Sequence, residues 1–314
     1  MAKLQSTEIV GVANRPTTIC SNTVCIWFDT TKSKSVASYC GYLGAWSAGG
    51  TMITARQRLA GAGTQNEGLV MGGFSVCRCT EEYNGTSWSA GGLLITGRNG
   101  LGGAGTQNVG LAIGGISNVY LTCTEEYDGT SWSVGGTMIT GRRVPGAGTQ
   151  NEGLAMGGTS NVAVTCTEEY NGSSWSTGGS MLTGRCFLSG TGTQNAGLAF
   201  GGCVPTTLTC TEEYNGTSWS VGGILINPRN QSAGAGTQNA ALAFGGGIKE
   251  PNSFTEEYNG NTWSRSANLT IDRCDSGGNG SQNAALASGG NIGIATGTCT
   301  EEYSTTLSII DCFL

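Results

Sequence analysis

Six adjacent pairs of glutamates are the main chemistry-bearing groups of this 314-residue chain. They stand in Thr-Glu-Glu-Tyr strings ending at Tyr83, Tyr127, Tyr170, Tyr214, Tyr258 and Tyr303, and they hold twelve of its sixteen Glu. A lone pair of carboxylates can act as acid and base on a glycosidic bond. A pair that recurs in every repeat serves the repeat rather than one active centre. The chain has no His, so it lacks the commonest general base and metal ligand, and His-containing triads are excluded. Asp is confined to Asp29, Asp128, Asp272, Asp275 and Asp311. These features argue against an enzyme, and no catalytic residue, cofactor or metal site is expected.

The thirteen Cys point the same way. Cys79, Cys123, Cys166, Cys210 and Cys299 each precede a Thr-Glu-Glu-Tyr string. Equivalent positions in neighbouring sheets lie about 10 Å apart, too far for a disulfide, which needs Cα atoms within about 7 Å. They read as small buried hydrophobes, with Phe254 in the same slot of another unit. No Cys-x-x-Cys zinc pair occurs, and Cys77-x-Cys79 is a single close pair. Cys186, Cys203 and Cys274 fall in loops, where pairing is left open. Free thiols in number suit folding in a reducing cytoplasm.

Positioning these residues falls to an internal repeat. Thr-Gln-Asn begins at Thr64, Thr106, Thr149, Thr193 and Thr237, with Ser281-Gln-Asn as a further copy, at steps of 42, 43, 44, 44 and 44 residues. Trp46, Trp88, Trp132, Trp175, Trp219 and Trp263 keep the same beat, as do Arg56, Arg98, Arg142, Arg185, Arg229 and Arg273. In the unit 98–136 we read strand A at 101–106, a turn at Gln107-Asn108, strand B at 109–113, strand C at 121–127 and strand D from Trp132. Asp128-Gly129 is expected as the C–D hairpin turn, since both residues tolerate positive φ. The Asn84, Asn171 and Asn215 glycosylation-like triplets are the same turn.

Four short antiparallel strands per 40–50 residues or so fit a propeller blade. The expected fold is an all-β, seven-bladed propeller filling one domain, with units at about 1–50 (degenerate), 51–93, 94–137, 138–180, 181–224, 225–268 and 269–314. Six blades plus an N-terminal extension is the alternative. Ring closure is expected between Glu8–Val12 and part of the stretch from Cys299 to Phe313. Alternation along strand C puts Glu81 on the same side as Tyr83, buried between blades and in need of a cation. The repeat Arg has the matching frequency, so Glu81, Glu125, Glu168, Glu212, Glu256 and Glu301 are expected to pair with the six repeat Arg.

The Gly-Gly, Tyr and Trp at these offsets, with Arg before the next strand, resemble kelch repeats over residues 56–303. The uniform wording is also similar to that of kelch-like repeat proteins encoded by tailed phages of aquatic bacteria. This resemblance implies a virion component, made in the host cytoplasm. Its partners would be other virion proteins or a host-surface receptor, protein or glycan. The alternative is a cytosolic or cell-surface interaction module binding a peptide or glycan; a glycan-active enzyme ranks last.

Composition narrows the partners. Net charge is −6, only 11% of residues are charged, and there is no basic cluster, so neither nucleic acid nor membrane insertion is expected. The first sixteen residues have no apolar core of signal-peptide type. Gly, at 55 residues, is more than twice its usual share of about 7%, which suits tight turns between short strands. The A–B and C–D turns share one face and are nearly constant. The B–C and D–A loops share the other and diverge, which marks a binding face. Its expected contact residues are those that leave the repeat: Phe74, Arg78, Asn118, Tyr120, Phe187, Lys249 and Glu250.

Overall fold

In the computed structural model the described residues are 24–29, 34–247, 250–293 and 295–313, with side-chain surroundings given within 44–305. Two compact units divide the chain: 1–45 with 305–314, and 46–304. In the first, Val24–Asp29 pairs antiparallel with the start of Lys34–Ala48. The second is a six-bladed β-propeller of four-stranded antiparallel blades.

Blade 1 shows the plan: A is Ala60–Gly63, B Gly68–Met71, C Thr80–Tyr83 and D Trp88–Ala90. The six A strands lie side by side around the axis. Their glycines are a packing requirement: a Cβ on Gly61 would meet the Gly278 carbonyl oxygen at 2.7 Å, and one on Gly103 the Gly61 oxygen at 2.5 Å. Hydrophobic clusters sit between blades instead of in one centre. Leu69 and Met71 of blade 1, for instance, pack with Leu101, Ala112, Tyr127 and Trp132 of blade 2.

The ring has six blades, as in the alternative reading, where seven were expected. The reason lies at Trp46. Trp132 Nε1 donates to Thr80 Oγ1 of the preceding blade at 3.0 Å, and Trp88 to Thr300 at 2.9 Å. Trp46 makes the same bond to Thr255, at 3.1 Å. Gly49 N donates to Thr300 O, as Gly91 N does to Thr80 O. The stretch from Trp46 to Ala48 is therefore strand D of blade 6, whose strand C begins at Thr300. This Trp closes the last blade; it does not end a first one. The expected pairing of Glu8–Val12 lies outside the described residues.

The C–D turn also differs from expectation. It is a four-residue loop in which only the Gly takes positive φ (Gly129, 90°). Asp128 Oδ1 accepts from Thr130 N and Ser131 N at 2.9 and 2.8 Å. Those bonds, led by the one from Ser131, hold its carboxyl down at about 2.

Candidate functional site

The repeated Arg, Glu, Tyr and Gln are consumed by the ring. Arg185 is fully buried and bonds Glu212 at 3.0 Å. Its Nη1 also donates to the carbonyls of Gly201 and Cys210. The same carboxylate accepts Leu182 N and Thr183 N from the D–A connection. Arg56 pairs with Glu81, Arg98 with Glu125, Arg142 with Glu168, Arg229 with Glu256 and Arg273 with Glu301, all buried. Cys123, Cys166, Cys210 and Cys299, expected to be buried, are half-exposed. The carbonyls of Cys123, Cys210 and Cys299 receive the repeat Arg, and that of Cys166 accepts Gly157 N.

The second Glu joins blades. Tyr170 Oη donates to Glu126 Oε1 at 2.5 Å, and the other five Tyr do likewise one blade back. The Gln of Thr-Gln-Asn is a staple as well as a turn residue: Gln107 Nε2 donates to Gly68 O and Tyr83 O of the preceding blade. All twelve paired carboxylates thus have structural partners, while the repeat Asn of the A–B turns, Asn66 and its five counterparts, stay exposed.

The tyrosines carry a pH consequence. Burial, then donation to the neighbouring Glu, pushes Tyr127, Tyr170, Tyr214 and Tyr258 up to about 12. In an unfolded chain they ionise near pH ~10. The folded state is therefore favoured in full below that pH, and this contribution is lost as pH rises from about 10 to about 12. A spectrophotometric titration of the phenolates should show most of these tyrosines ionising only together with unfolding. Ionisation near pH ~10 in a folded chain would contradict this account.

The opposite face is different. Where D–A loops enter the A strands, Arg58, Phe187, Gln231 and Asp275 take positive φ of 58, 52, 53 and 55°. Such conformations are strained in non-Gly residues. Backbone bonds running around the axis hold them: Gly100 N to Arg58 O, Arg58 N to Asp275 O, Asp275 N to Gln231 O and Gln231 N to Phe187 O. Blade 3 is one residue shorter here, and its Arg143 fills the gap.

These residues line a cavity of about 160 Å³ at the mouth of the axial channel, floored by A-strand glycines. Arg58 Nε reaches Asp275 Oδ2 at 3.2 Å, and Gln231 Nε2 reaches the same oxygen at 2.9 Å. Burial raises the Asp275 carboxyl above its ordinary range, against the pull of Arg58. Arg143 donates to Asn99 Oδ1 at 3.3 Å and lies over the Phe187 ring at 6.0 Å. Burial, then the nearby Arg58, lowers its pKa. Among the described residues no group of three His, Cys, Asp or Glu comes together as a metal site, and no helix is long and apolar enough to cross a membrane.

The chain matches no protein-family model, and no curated protein is significantly similar to it.

The expected contact residues divide. Phe187, half-buried, lines the axial cavity. Glu250 is exposed and lines an adjoining polar cavity of about 210 Å³ that shares Arg58, Gln231 and Asp275. Phe74 is exposed beneath Arg58, whose guanidinium carbon lies 5.8 Å from its ring centroid. Asn118 is exposed, and Tyr120 is half-buried in a bridge to Ile116. Arg78 is exposed, but its Nε bonds Leu94 O and ties it to its own blade. Lys249 lies outside the described residues. Sequence reasoning missed Arg58, Arg143, Gln231 and Asp275. A signal was present for three of them: the second residue after the repeat Arg is Arg58, Gly100, Val144, Phe187, Gln231 and Asp275, a column with no repeated residue, whereas Arg143 stands one position earlier in the shorter loop of blade 3.

In the loops, Cys186 and Cys203 stand opposite each other in an antiparallel bridge, with Cys186 Sγ bonding Cys203 O at 3.0 Å. Burial and the Cys186 thiol push Cys203 up to about 12. Cys77 and Cys79, read as an isolated close pair, lie side by side with Cα atoms 5.3 Å apart.

Proposed function

We propose that the chain is a non-enzymatic, kelch-like binding propeller, a virion structural or host-receptor-binding part of a phage, whose working surface is the B–C and D–A face. One observation carries this reading. The repeat Arg, Glu, Tyr and Gln are spent on the fold, whereas the D–A loops hold strained, non-repeating charged and aromatic residues around an open cavity. Strain kept at such positions is characteristic of ligand sites, and Arg and aromatic side chains dominate binding energy. The missing His and the commitment of every paired Glu support a binding role over catalysis. The phage assignment rests on the wording of the repeat.

The test compares the two faces on assembled particles. Particles carrying Phe74→Ser with Asn118→Ala should adsorb to host cells at least tenfold less. Particles carrying Glu67→Gln with Glu152→Gln, exposed on the A–B turn face, should adsorb normally. Equal adsorption by the two would overturn the assignment of the working face.

A further inference from the structure

We infer that the mouth of the axial channel binds an acidic sugar, taking its carboxylate on Arg143 and its ring against Phe187. The inference rests on the reading of the loop face as the working face, and adds a ligand class and an address on it.

The charge balance at the mouth comes first. Arg58 and Asp275 offset each other through their 3.2 Å contact. Arg143 has a neutral partner only, Asn99 Oδ1; its Nε is buried without a partner, as in four of the repeat Arg, so a ligand would meet the guanidinium through its Nη atoms. A guanidinium presents a planar fork of donors that fits a carboxylate with two parallel bonds. Asp275 already shows how such a group is received here, with Arg58 Nε and Gln231 Nε2 both donating to one of its oxygens. A second carboxylate on the Arg143 side would neutralise the remaining cation.

Size and lining then choose the ligand. A cavity of about 160 Å³ is well below the roughly 300–1,000 Å³ of sites that enclose drug-sized molecules. It admits the tip of a ligand: one charged group and one ring. Phe187, with Arg143 over its ring, supplies apolar ring atoms to the cavity, suited to the C–H groups of a pyranose. Gln231 and Asp275 supply polar atoms at the rim, suited to hydroxyls. Phe187, Gln231 and Asp275 lie on loops braced by the circumferential backbone bonds, and Arg143 is held by its paired backbone bonds to Thr159, so the site is formed before the ligand arrives.

Saturation-transfer NMR on the full chain tests this with three probes: glucuronate, glucose, and N-acetylalanine as a mimic of a peptide C-terminus. Glucuronate should show transfer at least fivefold stronger than either of the others. Arg143→Gln should remove most of that signal, whereas Arg265→Gln, the same charge change on an exposed D strand, should keep it. Thermal melting of both variants verifies that the ring is intact. Equal transfer to glucose, stronger transfer to N-acetylalanine, or an undiminished signal in folded Arg143→Gln would each overturn the inference. A face-dependent loss of adsorption alongside such a result would leave the working-face assignment standing and remove only the acidic-sugar site.

Discussion

Glu212→Gln should lower the unfolding free energy by about 3–5 kcal/mol, the range for removing one partner of a buried ion pair. Arg185 is fully buried, so its charge cannot return to water without opening the blade. The substitution also sets an amide N–H₂ against donors. Glu212 accepts Leu182 N at 2.7 Å, Thr183 N at 3.3 Å and Arg185 Nη2 at 3.0 Å, and a Gln has one acceptor oxygen for the three. A buried pair can often be exchanged for apolar residues of similar volume at little cost. Here the double change Arg185→Met with Glu212→Leu should remain destabilising, by roughly 1–3 kcal/mol for each backbone N–H left unsatisfied. Chemical denaturation of the wild type and the two variants measures both effects. A loss below about 1 kcal/mol in Glu212→Gln, the scale of an exposed ion pair, would show that the pair is not the strut described.

Trp46→Ala should cost about 3–5 kcal/mol, as expected for truncating a large buried aromatic. Its indole packs against Phe244 and Tyr303 at centroid distances of 5.0 and 5.1 Å and bonds Thr255. Trp219 is its counterpart in blade 4, packed on Tyr214 at 5.0 Å and bonded to Thr167. The two truncations should differ in kind. In blades 1–5 strand D follows strand C through a four-residue turn, so losing the Trp leaves the strand tethered. In blade 6 the two strands come from opposite ends of the ring-forming chain, Trp46 and Thr300 lying 254 positions apart. Trp46→Ala should therefore release the seam locally, and hydrogen exchange should quicken first at Thr300 to Tyr303 and at Gly49. Trp219→Ala should lower protection more evenly. A uniform loss in both would argue against a closure made by this strand.

Much of this molecule was legible one repeat at a time. The period of 42 to 44 residues, the Gly-Gly stops and the turn residues specify a four-stranded blade, because each is a local requirement of backbone geometry. The Arg and Glu pairing was legible too. Arg98 and Glu125 lie 27 residues apart within one unit, equal repeat frequency suggests them as partners, and burial between blades demands one. Where residues act between blades, the repeat hides the partner. The reach of Tyr170 to Glu126 and of Gln107 to the Tyr83 carbonyl runs one blade back, and a repeated sequence gives no direction of that kind. Blade number failed for the same reason. Trp46 is in phase with the repeat whether it ends a first unit or completes a last one, and only the three-dimensional ring, with Trp46 bonded to Thr255, chooses. The axial site is the extreme case. Arg58, Arg143, Gln231 and Asp275 come from four blades and share no local motif. What the sequence determined by itself is the blade, since strands, turns and their buried pair are short-range consequences of residue type. What the tertiary structure decided is how many blades close the ring and which charges meet on its axis, since both depend on a rotation repeated until the chain returns to its start.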